Sequence, residues 1–336
     1  MNLVVTIDVE EDNWGSFNAI QPTVENIRTI PQLQAIFDRY EIRPTYLVTY
    51  PVVATAWATA VLSDILQAGK CEIGAHLHPW NTAPFREDIN ERNSMLKNLP
   101  YELQTAKIKV ITDKIHSVFG RKPLSFRAGR WGLGPKTVQA LIACGYQADC
   151  SVTPSMSWTH CGDGPDYTDS TTEPYWLYSD DDTSQDAGAI LEVPATIGFN
   201  RWPFERWQKV FCRLQKTWTQ RLRPIGFFHH TGLLRKIWLS PEWSSAKDMI
   251  TLSRVMIRNE ARVLNLSFHS STLLPGATPF VKNARELEGF IAKIETLFEF
   301  LSANTPMTAL TLSEVANLYQ SGKSKPGAEQ HCHPDA

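Results

Sequence analysis

The sequence predicts a single α/β barrel whose functional residues lie at one end of a parallel sheet. Short β-rich runs alternate with helical patterns along the chain, and four of these runs end in ionisable side chains. Strands that alternate with helices form parallel sheets, and repeated units of this kind suggest a barrel with its active site at the carboxyl ends of the strands. With 336 residues, 43% of them hydrophobic, the chain can bury one large core.

The elements follow from periodicity and composition. Strands are predicted at 3–8, 44–49, 71–76, 123–127, 146–152, 190–193, 263–269 and 307–311. Helices are predicted at 31–40, 55–68, 101–119, 135–144 and 283–302. In the last helix the apolar residues recur at the spacing of one helix face: Leu287, Phe290, Ile291, Ile294, Leu297, Phe298 and Leu301.

Residues 153–250 interrupt this alternation. They contain an acidic run, Asp180 to Asp182, a basic stretch, Arg221 to Arg223, and seven of the 11 tryptophans: Trp158, Trp176, Trp202, Trp207, Trp218, Trp238 and Trp243. Two interpretations have equal weight. The segment is either an insertion over the barrel mouth whose aromatic rings stack on sugars, or a small satellite core filled by tryptophan.

The domain prediction is one unit over residues 1–320 followed by a disordered tail, 321–336. The tail is rich in Gly, Pro and Lys and closes on His331, Cys332 and His333. Those three side chains could trap a metal, but a solvated chain end is the favoured interpretation.

Composition excludes several classes of protein. A net charge of -2 and a pI near 6.5 provide no basic field for nucleic acid. The sequence contains no run of about 18 apolar residues, so it predicts no membrane span. The first residues have no basic leader region, so we expect no signal peptide and a cytoplasmic location. The six cysteines have no paired metal spacing and are expected to be free, buried thiols: Cys71, Cys144, Cys150, Cys161, Cys212 and Cys332.

The strand ends bring together the residues of metal-assisted hydrolysis. His76 and His78 are two apart on an extended chain, so both imidazoles can face one ion. Asp8 and Glu10 have the same spacing, so one carboxylate can complete a two-histidine, one-carboxylate site with open positions while the other stays free as a base. Taken alone, two histidines at this spacing are more usually surface residues with satisfied hydrogen bonds than metal ligands.

Four segments together resemble a known family. They are Thr6-Ile-Asp8-Val-Glu10-Glu11, Glu72-Ile-Gly-Ala-His76-Leu-His78-Pro79-Trp80, Phe126-Arg127-Ala-Gly129-Arg130-Trp131, and Ser267 to Gly276. The combination resembles the polysaccharide deacetylases of the NodB-homology type, particularly the branch found with exopolysaccharide and glycan biosynthesis. The resemblance implies a distorted (β/α) barrel of seven or eight strands. It also implies a divalent metal, with Zn²⁺ the expected ion, and removal of N-acetyl groups from an amino sugar in a glycan or its precursor.

The resemblance implies a role for each matching position. Asp8 becomes the general base and Arg127 its partner, although a structural ion pair is a strong rival for Arg127. His269 becomes the general acid, and the metal ligands are His76, His78 and Glu10.

Two departures from the family pattern leave alternatives open. Trp80 stands where the family has its second histidine, and we expect its ring beside the metal site, shaping the acyl pocket. The carboxylate ligand is open among Glu10, Glu11 and Asp12.

Further residues are predicted around these groups. Arg130 is assigned to a sugar hydroxyl or an anionic substituent, and Trp131 and Leu266 to substrate contact. Asp149 is predicted either to steady His269 from behind or to cap its own strand.

Three rival functions remain. The same barrel could hydrolyse a small-molecule amide, or it could be a glycan-binding relative that has lost its chemistry. A metal-independent deacylase would use Asp8 and His269 alone. Together, Asp8, His76, His78 and His269 argue against the non-catalytic alternative.

Overall fold

The computed structural model describes residues 1–12, 14–15, 17, 22–179, 188–203, 206–210 and 234–323. Within these residues a mostly parallel sheet curls into a partial barrel, and helices pack against it. The α/β barrel class predicted from the sequence is confirmed.

The described residues contain 11 strands. Their bounds are β1 (Asn2–Val9), β2 (Thr45–Val48), β3 (Glu72–Leu77), β4 (Ser125–Ala128), β5 (Ala148–Asp149), β6 (Tyr175–Tyr178), β7 (Ala189–Glu192), β8 (Ile197–Phe199), β9 (Lys236–Trp238), β10 (Val263–His269) and β11 (Thr308–Ala309). Nine form one sheet, in the order β10-β1-β2-β3-β4-β5-β7-β6, with β11 also paired to β1. In this sheet β6 is antiparallel to β7, and the other pairings are parallel. β8 and β9 form a separate antiparallel pair.

The register of the sheet aligns the predicted polar segments. β1 lies between β10 and β2, and Asp8 pairs with His269 across the first of these boundaries. Between β3 and β4, His76 pairs with Arg127. Because the carboxyl ends of parallel strands meet at the same edge, this register places all four segments at one end of the barrel.

Residues 193–196 cross the space between β7 and β10. Asn265 on β10 donates through its side chain to Val193 O at 3.1 Å and through its backbone N–H to Thr196 Oγ1 at 2.8 Å. Thr196 O in turn accepts from Leu239 N at 2.8 Å. A buried asparagine therefore supplies part of the hydrogen bonding that a neighbouring strand would provide.

Eight helices have both of their ends within the described residues and pack around the sheet, and residues 206–210 are also helical. Their bounds are α1 (Ile30–Arg39), α2 (Tyr50–Ala54), α3 (Ala56–Gln67), α4 (Tyr101–Phe119), α5 (Pro135–Cys144), α6 (Ala246–Arg258), α7 (Ala284–Asn304) and α8 (Leu312–Lys323). The five predicted helices are present, each within two residues of its expected ends. On α7 the predicted apolar face is the buried one, through Phe290, Ile294, Leu297, Phe298 and Leu301.

One predicted strand is much shorter than expected. The prediction covered 146–152, but ladder pairing occurs only at Ala148–Asp149. Beyond that point Cys150 N still donates to Phe126 O on β4 at 3.1 Å, but the next two backbone N–H groups bond to side chains. Ser151 N donates to Asp149 Oδ2 at 2.8 Å, and Val152 N donates to Glu192 Oε1 at 3.0 Å.

Two segments differ from the expected organisation. Residues 153–250 contain β6 to β9 and the start of α6, so the segment contributes regular structure. The predicted tail was expected to begin at Ser321, but α8 continues to Lys323. The disorder prediction is therefore wrong for residues 321–323, and the rest of the tail, with His331, Cys332 and His333, lies outside the described residues.

Two findings concern cysteines and membrane spans. Cys71, Cys144, Cys150 and Cys161 are free thiols, as predicted, but only Cys71 and Cys150 are buried, so the expected burial is wrong for the other two. Cys212 and Cys332 lie outside the described residues. Among the helices described, none has the length and hydropathy needed to cross a membrane.

Candidate metal and active site

Three buried side chains converge at the carboxyl ends of β1 and β3. Nε2 of His76 lies 3.7 Å from Glu10 Oε2, and Nε2 of His78 lies 3.5 Å from the same oxygen. The three ligand atoms all lie within 4.8 Å of one another. Two ligands bonded about 2.0–2.1 Å from a tetrahedral ion would be separated by about 3.3 Å. The group is therefore spaced to hold a metal ion.

The other ring nitrogens determine which tautomer each histidine adopts. Nδ1 of His76 lies 3.0 Å from Arg127 O, and a carbonyl oxygen only accepts, so this Nδ1 carries the proton. Nδ1 of His78 lies 2.9 Å from Glu11 Oε1. The neutral rings then present their Nε2 lone pairs to Glu10. Such outer partners are usual for metal-binding histidines, so this donor set fits a divalent cation.

Glu11 supports His78 through Nδ1, the ring nitrogen that is not among the three candidate ligand atoms. Its Oε1 also accepts from Asn81 Nδ2 at 2.9 Å, and its Oε2 accepts from Thr49 Oγ1 at 3.2 Å. Burial by itself raises the pKa of Glu11, but His78 outweighs burial and lowers the pKa to about 2. An ionised Glu11 holds the proton of His78 on Nδ1.

Asp12 has a local structural role. Its side chain accepts from Glu25 N at 2.8 Å and from Asn26 N at 3.1 Å, at the start of the short 3-10 helix Glu25–Thr29. Of the three acids that the sequence left open, Glu10 is the one that faces both Nε2 atoms.

Asp8 and Arg127 form a buried ion pair across the barrel. Arg127 Nη1 donates to Asp8 Oδ1 at 2.6 Å, Nη2 donates to Thr6 Oγ1 at 2.6 Å, and Nε donates to Cys150 O at 3.1 Å. Burial raises the pKa of Asp8, but Arg127 and the nearby histidines outweigh it and lower the pKa to about 2. Arg127 therefore ties three strand ends together and also keeps Asp8 ionised, contacts that fit a structural ion pair and a partner of the base alike.

His269 lies beside Asp8, at the end of the neighbouring strand β10, and is held by Glu242. Its Nε2 lies 3.5 Å from Asp8 Oδ2. Its Nδ1 lies 3.0 Å from Glu242 Oε2, and its backbone N–H donates to Glu242 Oε1 at 3.0 Å. Burial lowers the pKa of His269, but Glu242, followed by Glu10 and Asp8, raises it to about 10. His269 is therefore protonated at neutral pH.

The prediction that Asp149 steadies His269 is wrong. Asp149 accepts from Ser151 N at 2.8 Å and from Ser151 Oγ at 2.9 Å, which is the strand-capping alternative. Burial raises the pKa of Asp149 and that of the neighbouring Glu192. Glu242 was missed because it follows a proline in a loop with no periodic pattern. A lone acid among apolar and aromatic residues was the available signal.

A cavity of about 380 Å³ opens over these groups. Trp80, Arg130 and Trp131 line it, where substrate contacts were predicted. Leu266 does not line it, because it is fully buried in the apolar core, deeper along β10 than the residues that reach the cavity. The assignment of Leu266 to substrate contact is therefore wrong.

The tryptophans of residues 153–250 that the structure describes lie in different surroundings. Trp158, Trp238 and Trp243 line the cavity. Trp176 and Trp207 are partly buried and pack against the hydrophobic clusters. Trp202 is exposed, with the Arg258 guanidinium 4.1 Å from its ring centre, and Trp218 lies outside the described residues.

Comparison with known proteins gives a structural likeness only. No protein-family model matches the sequence, and no curated protein matches it. A protein assigned as a polysaccharide deacetylase from Mycobacterium smegmatis superposes with a TM-score of 0.53 at 16% identity, covering 99% of this chain and 95% of that one. A probable polysaccharide deacetylase from Pseudomonas aeruginosa PAO1 gives 0.55 at 12%, covering 95% and 91%. The allantoinase PuuE gives 0.53 at 14%, covering 95% and 90%.

At these identities the comparisons establish the fold and not the activity. The chain therefore has the fold of the polysaccharide deacetylases, with a buried Glu10, His76 and His78 group that could bind a metal.

Proposed function

We propose that the protein is a metal-dependent hydrolase that removes the N-acetyl group of an amino sugar, in a glycan or a glycan precursor. The observation that carries the proposal is the Glu10, His76 and His78 group, which has Asp8 and His269 beside it. The first group has the donor set of a divalent cation. The other two residues are an ionised acid and a protonated histidine 3.5 Å apart.

Glu10, His76 and His78 would hold the cation, and Zn²⁺ suits their nitrogen and oxygen donors. A cation bound there supplies Lewis-acid chemistry, lowering the pKa of water toward about 7 and polarising a carbonyl oxygen. With only three protein ligands, a cation held there would remain open to water or substrate. The remaining steps belong to the neighbouring side chains.

Asp8 is the proposed proton acceptor. Arg127 occupies Oδ1, so Oδ2 is the oxygen that faces the histidines and the cavity. The ion pair keeps Asp8 ionised across the working range of pH, although it also lowers its basicity. Asp8 therefore suits an attacking water whose own pKa is depressed.

His269 is the proposed proton donor to the leaving amine. The carbonyl carbon gains a bond to the water oxygen and loses its bond to nitrogen, so the products are acetate and a free amine. An amine expelled without a proton is a poor leaving group, and His269 carries that proton on Nε2 at neutral pH. Glu242 orients the ring through Nδ1.

A small-molecule amide is the second candidate substrate. A cavity of about 380 Å³ is near the lower end of the range for small-molecule sites. The similar fold of an allantoinase, an enzyme named for a small molecule, supports keeping this candidate. A cytoplasmic location stays a prediction from the sequence.

Metal analysis and acetate release test the proposal together. The purified protein should contain about one divalent metal ion per chain, and chelation should remove the activity. Wild-type protein should release acetate from some member of a panel of N-acetylated glycans, monosaccharides and small amides. Metal-free protein with full activity would favour a metal-independent deacylase that uses Asp8 and His269. Metal-loaded protein inactive on the whole panel would favour a binding role.

A further inference from the structure

Trp80 carries a hydrogen-bond donor that no step described above uses. Its side chain is 7% exposed and lines the cavity, and its Nε1 has no hydrogen-bond partner in the described structure. Folded proteins pair nearly all buried donors, because an unpaired donor loses its bonds to water without replacement. An exception in the wall of a reaction cavity therefore needs an explanation.

Two of the other cavity tryptophans have protein partners for their N–H groups. Trp158 Nε1 donates to Thr153 Oγ1 at 2.8 Å, and Trp238 Nε1 donates to Ser267 Oγ at 3.2 Å. Both rings line the same cavity, and both have protein partners for their N–H groups.

The backbone around Trp80 is held rigidly by a buried lysine. Lys107 on α4 is fully buried, and its Nζ donates to Pro79 O at 2.9 Å and to Thr82 O at 2.6 Å. Its charge is balanced by Glu87, whose Oε1 lies 2.7 Å from Nζ. These bonds fix the turn on both sides of Trp80.

The ring itself lies against the proposed metal site. Its centroid is 4.2 Å from that of His78, and the two planes are inclined by 19°. The ring centroids of Phe17 and Trp80 are 5.2 Å apart. A donor held in this way needs no reorganisation when a ligand arrives, which is the property that makes polar groups effective in catalysis.

We propose that the indole N–H of Trp80 donates a hydrogen bond to the acyl oxygen of the substrate and stabilises the negative charge that develops on it. The proposal rests on the proposed hydrolase function, because the acyl group must react beside His78. Trp80 stands where the family that the sequence resembles has a metal ligand. In this protein the residue would have a catalytic role of its own.

The replacement Trp80→Phe removes the donor together with part of the ring, so it is compared with the same replacement at two other tryptophans. Because the N–H of Trp80 has no protein partner among the described residues, Trp80→Phe loses ring packing but no hydrogen bond, and it should lower the urea denaturation midpoint less than the controls do. Trp158→Phe and Trp238→Phe are matched controls for stability. Each leaves a hydroxyl without its donor, so each should lower the midpoint.

Acetate, the acyl product of the proposed reaction, probes binding without turnover. Titrated into Zn²⁺-supplied protein, it should bind about tenfold more weakly to Trp80→Phe than to wild type, the loss expected for one hydrogen bond to a charged group. In ¹⁵N spectra, the indole N–H signal that Trp80→Phe removes should shift when acetate binds to wild type. Trp57→Phe, on α3 beside Arg28 and outside the cavity lining, should bind acetate as wild type does.

The proposal is overturned if Trp80→Phe is destabilised to the same extent as the two stability controls, because the N–H would then have a structural partner. It is also overturned if acetate binds both proteins alike or binds neither. Failure of the hydrolase function is separate, since it would appear as absent acetate release by wild-type protein.

Discussion

Two histidines that line the cavity, the buried His78 and the partly buried His269, have similar partners and different proposed roles. Nδ1 of His78 lies 2.9 Å from Glu11, and Nδ1 of His269 lies 3.0 Å from Glu242. Burial lowers the pKa of each ring, but the flanking carboxylates outweigh burial and raise both values. A carboxylate at Nδ1 is therefore not enough to distinguish a metal-binding histidine from a histidine that acts as a general acid.

The two histidines differ in the groups that their Nε2 atoms face. Nε2 of His78 faces Glu10 at 3.5 Å, and in the described part of the chain Glu10 pairs with no lysine or arginine. Nε2 of His269 faces Asp8 at the same distance, but Asp8 already has Arg127. Within the described residues Glu10 is a buried carboxylate without a lysine or arginine partner, which favours a metal ion between it and His78. Asp8 already has Arg127, so His269 beside it can hold a proton.

The largest expected effect separates the two histidines by metal content. His76→Ala and His78→Ala should abolish metal binding, since each removes one of three protein ligands, while His269→Ala should keep the metal. Metal stoichiometry measures this, and circular dichroism should show all three folded. Full metal occupancy in His76→Ala and His78→Ala would reject the ligand assignment.

Asp8→Asn should keep the metal and lose most of kcat. General acid and base groups typically contribute about 10²- to 10⁴-fold, and the amide cannot accept the proton. Steady-state kinetics with parallel metal analysis measures both quantities. Loss of metal from Asp8→Asn would show that this carboxylate is a ligand instead.

His269→Ala should be impaired on an amide and much less impaired on an ester or activated amide, whose leaving group needs no proton. Asp8→Asn serves as the control, because it should stay impaired on both substrates. Equal loss on amide and ester by His269→Ala would show that His269 is not the general acid.

Glu242→Gln should move the alkaline limb of the pH profile. The pKa of His269 is about 10 against an ordinary 6.5, so its proton stabilises the fold below pH 6.5 and that stability is lost as pH rises through about 10. Without the charge of Glu242 the pKa falls, so kcat/KM should decline at lower pH and the stability advantage at neutral pH should shrink. An unchanged alkaline limb in kcat/KM would mean that another group controls it.

The smallest expected effects come from a matched pair of supporting residues. Asn81 donates to Glu11 behind His78, and Thr272 donates to Glu242 behind His269. Asn81→Ala should weaken metal affinity by up to about tenfold, at the low end for outer partners of ligands. Thr272→Val should leave metal affinity unchanged and shift only the pH profile. The comparison breaks down if the two variants have the same effect on metal affinity, measured by competition with a chelator.

Much of the fold was accessible from the sequence because its signals are local. The apolar periodicity of α7 and the strand runs that end in Asp8, His76, Arg127 and His269 required no knowledge of distant neighbours. The elements missed within residues 153–250 have weaker local signals. Even there, Ser245 three residues before Asp248 is a capping pattern that could have predicted α6, and the structure shows Ser245 Oγ accepting from Asp248 N at 3.1 Å.

The sequence by itself determined which chemistry-bearing residues stand at strand ends, because side-chain alternation and the parallel arrangement follow from the pattern along the chain. Only the tertiary structure decided the partners: Glu10 with both Nε2 atoms, Glu11 behind His78, and Glu242 behind His269. Those choices depend on how separate segments meet in three dimensions. Glu242 is 27 residues from His269 along the chain, and no local pattern encodes a contact over that separation.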